Sequence, residues 1–362
     1  MTDYNNPKHI LDSSSIKEGS VKWRSPSNIA LIKYWGKHGN QLPNNASISF
    51  TLTNAYTETL ISYKTRNTST ASGQINFFLD GKSREDFRDK IVKNFQKLDA
   101  IFPFLKQLDF TIHSHNSFPH SAGIASSASS MSALALCLCS MESYFFGTLQ
   151  NIEDFRRKAS YVARLMSGSA SRSIFSKMAL WGKTSADQDS SNEYAIPYED
   201  KIHDVFKHFH DDILIVRKGE KSVSSRAGHQ LMEDNIYAPV RYRDAEKKMV
   251  QLISALQKGD VTLVGKITES EALTLHALMM TSTPSYILME PNTLILIQKV
   301  QNFRKETKTP LYFTLDAGPN LHLLYPDQYK ESVKDFIKSE LVQYCEDAFW
   351  IEDEVGDGPV QL

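Results

Sequence analysis

Runs that alternate apolar and polar residues dominate the first third of the chain. Residues 58–65 (ETLISYKT), 74–80 (QINFFLD) and 108–115 (LDFTIHSH) carry a period of two, which predicts half-buried strands. Between them, Ser83 and Asp86 predict the start of a helix whose Phe87, Ile91, Phe95 and Leu98 share one face. Residues 152–166 predict a further helix, broken at Gly168, and 212–216 (DILIV) a buried strand. The clearest helix covers 243–258: Met249, Leu252, Ile253 and Leu256 follow the i, i+3, i+4, i+7 spacing, and Gly259 supplies a C-terminal cap. Two more helices are expected near Asn292 and Asp327, each after a proline. Runs 311–315 and 321–325 flank a sharp turn, DAGPN, and can pair as strands. The polar stretch 184–193 (TSADQDSSNE) predicts a long loop near a lobe boundary. Strands and helices mix without a strict βαβ rhythm, so the expected class is α+β, with two lobes around a cleft.

At 362 residues the chain has room for about two domains. Lys and Arg number 41 against 42 Asp and Glu, a net charge of -1, which provides no footprint for nucleic acid or an anionic membrane. A strongly anionic ligand must therefore be met by a local cluster of cations. The three cysteines (Cys137, Cys139 and Cys345) are too few for a disulfide framework and lack zinc-like spacing, so a reducing compartment is expected. The first 20 residues are polar and do not resemble a signal peptide. The longest apolar stretch, 131–141, is far short of the roughly 20 residues that span a bilayer. A soluble, cytoplasmic protein is expected.

Candidate chemistry gathers in a few segments. Residues 119–141 (PHSAGIASSASSMSALALCLCSM) place a block of Gly, Ala and Ser directly before an apolar helix. Such a block lets backbone N–H groups approach a phosphate, and Ser126, Ser127 and Ser129 add hydroxyls. The same small residues also permit close helix packing, and composition does not separate the two. Neither a P-loop nor a G-x-G-x-x-G fingerprint is present. Residues 28–36 (NIALIKYWG), taken as a strand, put Ile29, Leu31, Lys33 and Trp35 on one face. A lysine there is either snorkelling at a sheet edge or buried and paired with a carboxylate. Asp316, at the end of LYFTL, is a candidate partner or an ordinary turn aspartate. Arg172, in 167–172 (SGSASR), is a clamp for phosphate or carboxylate, or part of a helix junction. Lys37 and residues 221–226 (KSVSSR) add further cations. His113, His115 and His120 have no Asp, Glu or Cys at metal-ligand spacing.

Taken together, residues 28–37 (NIALIKYWGK), 118–129 (FPHSAGIASSAS), 167–173 (SGSASRS) and 314–320 (TLDAGPN) resemble, in order and approximate spacing, the signatures of the diphosphomevalonate decarboxylase family of the GHMP superfamily. The resemblance spans roughly 25–325, with an echo in the terminal GDGP. Residues 1–20, rich in Ser and Asn, are expected to form a flexible leader with no counterpart in the family; the resemblance implies an ATP-binding, ribosomal-S5-like N-terminal lobe over 21–205 and a ferredoxin-like C-terminal lobe over 206–362. It also implies ATP and Mg2+ as cofactors and a homodimer. The implied reaction phosphorylates the 3-hydroxyl of mevalonate 5-diphosphate, then loses phosphate and CO2. Carried over by motif, the catalytic residues are Asp316, Lys33 and Arg172. The substrate contacts are Tyr34, Lys37, Ser167, Ser169, Arg172, Ser225 and Arg226. The ATP-binding residues are Asn28, Pro119, Gly123, Ala125, Ser126, Ser127 and Ser129, with Mg2+ held mainly by ATP phosphates and by Ser127. Departures from the pattern fall at His38, around His120 and Ser121, and over 173–177.

The rivals are an enzyme for mevalonate 5-phosphate, a kinase that stops after 3-phosphorylation, and a silent relative used for binding. Lys33, Arg172 and Asp316 together favour full decarboxylation, while Lys37 and Arg226 favour a diphosphate.

Overall fold

The computed structural model describes residues 2–12, 18–66, 74–119, 124–219 and 223–362, with the side chain of Arg226 outside that description. The first sheet contains β1 (Glu18–Ala30), β2 (Ser47–Thr65), β3 (Ile75–Leu79), β4 (Leu108–Asn116), β5 (Met178–Trp181) and β6 (Ala195–Pro197). β2 organises it. β1 runs antiparallel along one edge, while β4 and β5 take successive stretches of the other. β3 lies parallel beyond β4, and β6 lies beyond β5. The register of β1 shifts between Pro26 and Asn28, a bulge at a residue that has no N–H to donate.

Three helices cover this sheet: α1 (Glu85–Leu98), α2 (Ser126–Phe146) and α3 (Ile152–Met166). α1 buries Ile91, Phe95 and Leu98 from the face expected for it. α2 is apolar nearly all round, and its small residues let it lie close to the sheet: Ser132 Oγ meets Ser25 Oγ at 2.6 Å, and Ser129 Oγ meets Thr57 Oγ1 at 2.7 Å.

The second lobe starts with β7 (Phe209–Leu214), followed by α4 (Ser225–Gln230), α5 (Ala238–Lys258), α6 (Val261–Met280), α7 (Pro291–Thr307), β8 (Tyr312–Thr314), β9 (Leu321–Pro326), α8 (Lys330–Phe336) and β10 (Trp350–Ile351). Its antiparallel sheet has the order β8-β9-β7-β10. The strand pair around DAGPN is β8 against β9, with Thr314 opposite His322. α5 begins five residues before the expected 243 and stops at Gly259, whose φ of 75° closes the helix. Its buried Met249, Leu252, Ile253 and Leu256 meet Ile29, Ile32, Ile48 and Phe50 of the first lobe in a shared core.

Three expectations differ from the structure. Residues 28–36 do not form one strand: β1 ends at Ala30, and the following segment bends away into the cleft. Lys33 therefore owes its direction to tertiary bonds rather than to strand alternation. Second, the leader expected over 1–20 is in part fixed structure. Residues 18–20 open β1; Asn6 N–H donates to the Ala100 carbonyl at 3.0 Å, and Leu11 N–H to Gln107 Oε1 at 2.7 Å. Third, the chain's end, expected in the second lobe, returns to the first. Asp353 accepts the N–H groups of Thr53, Asn54 and Ala55 at 2.7–2.8 Å, and β11 (Val360–Gln361) pairs with Trp23 and Arg24.

Candidate active site

The lobes enclose a cavity of about 580 Å³, lined on one side by the start of α2 and on the other by residues after β1 and β8. At its α2 end, Ala125 sits in the left-handed region (φ 46°) and its side chain caps nothing. Among the described residues, the first turn of this 21-residue helix has no side-chain cap and no acidic residue of its own at the cavity, the arrangement that suits an anion. The small-residue block presents two faces. Ser126, Ser127 and Ser130 line the cavity, whereas Ser129 and Ser132 are buried against the sheet. Ser129, expected to contact ATP, is a packing residue.

Deeper in, Lys33 is 2% exposed and its Nζ donates to Asp316 Oδ1 at 2.9 Å. Burial pushes the ammonium below its ordinary value of 10.5, and the Asp316 charge opposes that fall. The backbone at Lys33 is held from three sides. Its N–H donates to Glu271 Oε2 at 3.0 Å, and its carbonyl accepts from Asn45 Nδ2 and Arg241 Nη2, each at 3.0 Å. Glu271, fully buried on α6, also pairs with Arg241 and Lys248. Asp316 follows β8 at the turn, where Gly318 N–H and His276 Nε2 both meet its carbonyl oxygen, at 2.7 and 3.1 Å.

Arg172 completes the centre. Its Nε donates to Ser49 Oγ at 3.0 Å and its Nη2 to Asn28 Oδ1 at 3.1 Å, while Asn28 Nδ2 donates to Ser173 Oγ at 2.7 Å. Nη1 is buried with no acceptor among the described residues. A buried guanidinium edge without a partner is a donor awaiting an anionic oxygen. Burial pulls the group from 12.5 to about 10, with Asp316 opposing the change, so it is charged at neutral pH. Asn28, expected among the ATP contacts, lines the cavity and also accepts from Arg172, which it orients.

At the far end of the cavity, Tyr34 and Trp35 flank His229 of α4, with ring centroids 4.4 and 4.5 Å away. The Tyr34 hydroxyl is buried without a partner among the described residues, and burial raises its pKa. Gly168 lets this ring approach: a Cβ there would lie 2.8 Å from the hydroxyl. Lys37, Ser167, Ser169 and Ser225 line the same wall; Lys37 Nζ donates to Gln41 Oε1 at 2.7 Å, and Ser167 Oγ meets Ser127 Oγ at 3.4 Å.

The structure therefore brings Asn28, Lys33, Tyr34, Lys37, Ala125, Ser126, Ser127, Ser167, Ser169, Arg172, Ser225 and Asp316 to one cavity. Pro119 is half-buried and does not line it. Gly123 and the Arg226 side chain lie outside the described residues. Sequence reasoning missed Glu271, Arg241 and His229. It also missed an apolar and basic extension formed by Phe77, Phe87, Lys90, Asn94 and Met131. The helical pattern of α1 was visible, but nothing local showed that its N-terminal half would border the cleft.

Comparison with known proteins bears on the whole chain. Residues 25–192 match the family model of the diphosphomevalonate decarboxylase-like N-terminal domain, and 212–355 that of the mevalonate 5-diphosphate decarboxylase C-terminal domain. The diphosphomevalonate decarboxylase of Saccharomyces cerevisiae is 29% identical over 86% of this chain and 79% of its own. A crystal structure of mevalonate diphosphate decarboxylase from Staphylococcus aureus is similar with a TM-score of 0.79 and 29% identity, covering 95% of this chain and 98% of that one. Another solved structure, MDDEF in complex with MVAPP, AMPPCP and magnesium, has a TM-score of 0.77 and 28% identity, covering 95% and 99% of the two chains.

Proposed function

Because the chain belongs to the diphosphomevalonate decarboxylase family, we propose that its cleft carries out the ATP-dependent decarboxylation of mevalonate 5-diphosphate to isopentenyl diphosphate, with release of ADP, phosphate and CO2. The observation that carries this reading is the cross-lobe ion pair of Lys33 and Asp316, in one cavity with the unpartnered edge of Arg172.

The chemistry follows from these groups. A tertiary alcohol has a pKa far above that of any carboxylate, so Asp316 accepts the 3-hydroxyl proton only as the oxygen–phosphorus bond forms and ADP leaves. Lys33 holds the carboxylate in place for that transfer. In the second step the C3–O bond breaks and phosphate departs. The electrons of the bond to the carboxylate become the new double bond, and CO2 leaves. Arg172 Nη1 donates to the substrate carboxylate or the departing phosphate, anions that both match its planar fork. Asn28 and Ser49 fix the direction of that donor.

The uncapped start of α2 and the hydroxyls of Ser126 and Ser127 suit a triphosphate, and Ser127 offers the hard oxygen that Mg2+ prefers. Bound with ATP, Mg2+ neutralises phosphate charge. Lys37, Ser167, Ser169 and Ser225 receive the substrate diphosphate, with Tyr34 closing the pocket beside them. Action in the cytoplasm as a homodimer belongs to the same proposal; a sedimentation mass twice that of one chain would support the dimer.

The test is a coupled assay that reads ADP and CO2 together on mevalonate 5-diphosphate and mevalonate 5-phosphate. Equal amounts of ADP and CO2 are expected from the diphosphate. ADP without CO2 would mean a kinase, and preference for the monophosphate would overturn the substrate assignment.

A further inference from the structure

His229 is held in one chemical form by its surroundings. The Gly36 N–H donates to Nδ1 at 2.9 Å. A backbone N–H cannot reverse its role, so Nδ1 keeps its lone pair and the proton of the neutral ring sits on Nε2. Tyr34 and Trp35 pack against the ring at interplanar angles of 40° and 32°, which fixes its plane. Burial, helped by the nearby Lys37 charge, takes its pKa from 6.5 to about 3, so the ring remains neutral at physiological pH. The slot is tight, since a Cβ on the neighbouring Gly228 would lie 2.4 Å from the Trp35 ring.

His229 and Ser225 stand four residues apart on α4 and border the cavity together with Lys37. Among the described residues no protein group accepts from Nε2. We propose that His229 Nε2–H donates to a terminal phosphate oxygen of the substrate and so helps the pocket discriminate a diphosphate from a monophosphate. This rests on the placement of the diphosphate at Lys37 and Ser225. Lys37 supplies charge there, and a neutral donor of fixed direction supplies geometry without placing a second cation beside it.

Two variants separate this role from a purely structural one. In His229→Asn the amide oxygen can still accept from Gly36 N–H, but the distal donor is lost. His229→Gln can present an N–H close to the Nε2 position. For His229→Asn, KM for mevalonate 5-diphosphate and the inhibition constant of inorganic pyrophosphate are expected to rise about tenfold, the loss typical of a hydrogen bond to a charged group. Its kcat should stay within about twofold, and His229→Gln should remain within about threefold of the parent throughout. Parental KM in His229→Asn, or equal weakening in both variants, would overturn the proposal. The parent in the same assay checks the underlying function: no turnover of mevalonate 5-diphosphate would sink that reading instead. Should neither variant fold, the nitrogen-15 histidine spectrum of the parent decides. Pyrophosphate should move the His229 Nε2 resonance with Nδ1 still an acceptor, and an unmoved resonance would refute the contact.

Discussion

Lys33 faces a carboxylate at 2.9 Å in a setting that burial makes costly for its charge. Its proton is therefore lost at lower pH than that of an ordinary lysine. The active form is the cation, so activity should fall as pH rises through the lowered Lys33 value, before the usual 10.5. A profile of kcat/KM against pH checks this, and a flat profile to the ordinary lysine range would remove Lys33 from the chemistry. Asn28 acts one step away by fixing Arg172. Steady-state kinetics on Asn28→Ala should show kcat lowered about tenfold, because one hydrogen bond that orients Arg172 is lost. At this scale the sequence was informative where one short segment carries both the charge and its turn, as Asp316 does in DAGPN. His229 was opaque because its meaning comes from Gly36 and Tyr34, nearly 200 positions away.

α6 shows how an element can be hidden and still control the site. Its sequence is apolar on several faces, and its buried positions include Val264, Ile267, Glu271, Leu275 and Met279, so the one-sided stripe that marks a surface helix is weak. Gly265 sits under the Tyr312 ring, where a Cβ would lie 2.1 Å away. The buried carboxylate of Glu271 joins Lys33 N–H, Arg241 and Lys248. Replacing it with glutamine leaves the buried Arg241 short of its counter-charge, while Lys248 keeps Asp244 at 2.7 Å. Glu271→Gln should therefore lose about 3–5 kcal/mol of stability by urea denaturation, with kcat reduced as the Lys33 backbone loosens. A loss below about 1 kcal/mol would mean that water or a neighbour replaces the clamp. α5 was the opposite case, because its core face alternates with charge and Gly259 ends it visibly. α2 lay between the two: its composition showed a special helix, but only the fold assigned Ser127 to the cavity and Ser129 to the packing face.

At the scale of the molecule, the lobes are not independent. Ile29, Ile48 and Phe50 from the first lobe pack with Phe209, Met249 and Leu252 from the second, and the chain's end ties back through Asp353 and β11. With a common core, calorimetry should record one cooperative unfolding transition, and Phe50→Ala should lower it as a whole, at a cost of about 3–5 kcal/mol. Two separate transitions would contradict the shared core. The two-lobed α+β plan was legible from strand and helix periods, whereas the return of the last residues was not, since short edge pairings leave little pattern. The same architecture brings Lys33 and Arg172 from one lobe to Asp316 of the other. Asp316→Asn tests that convergence most directly, with ADP and CO2 both measured and substrate affinity followed by calorimetry. Both products should fall together by about a thousandfold, with the dissociation constant for mevalonate 5-diphosphate within about threefold of the parent. Turnover near the parental rate, or ADP formed normally while only CO2 is lost, would contradict the account.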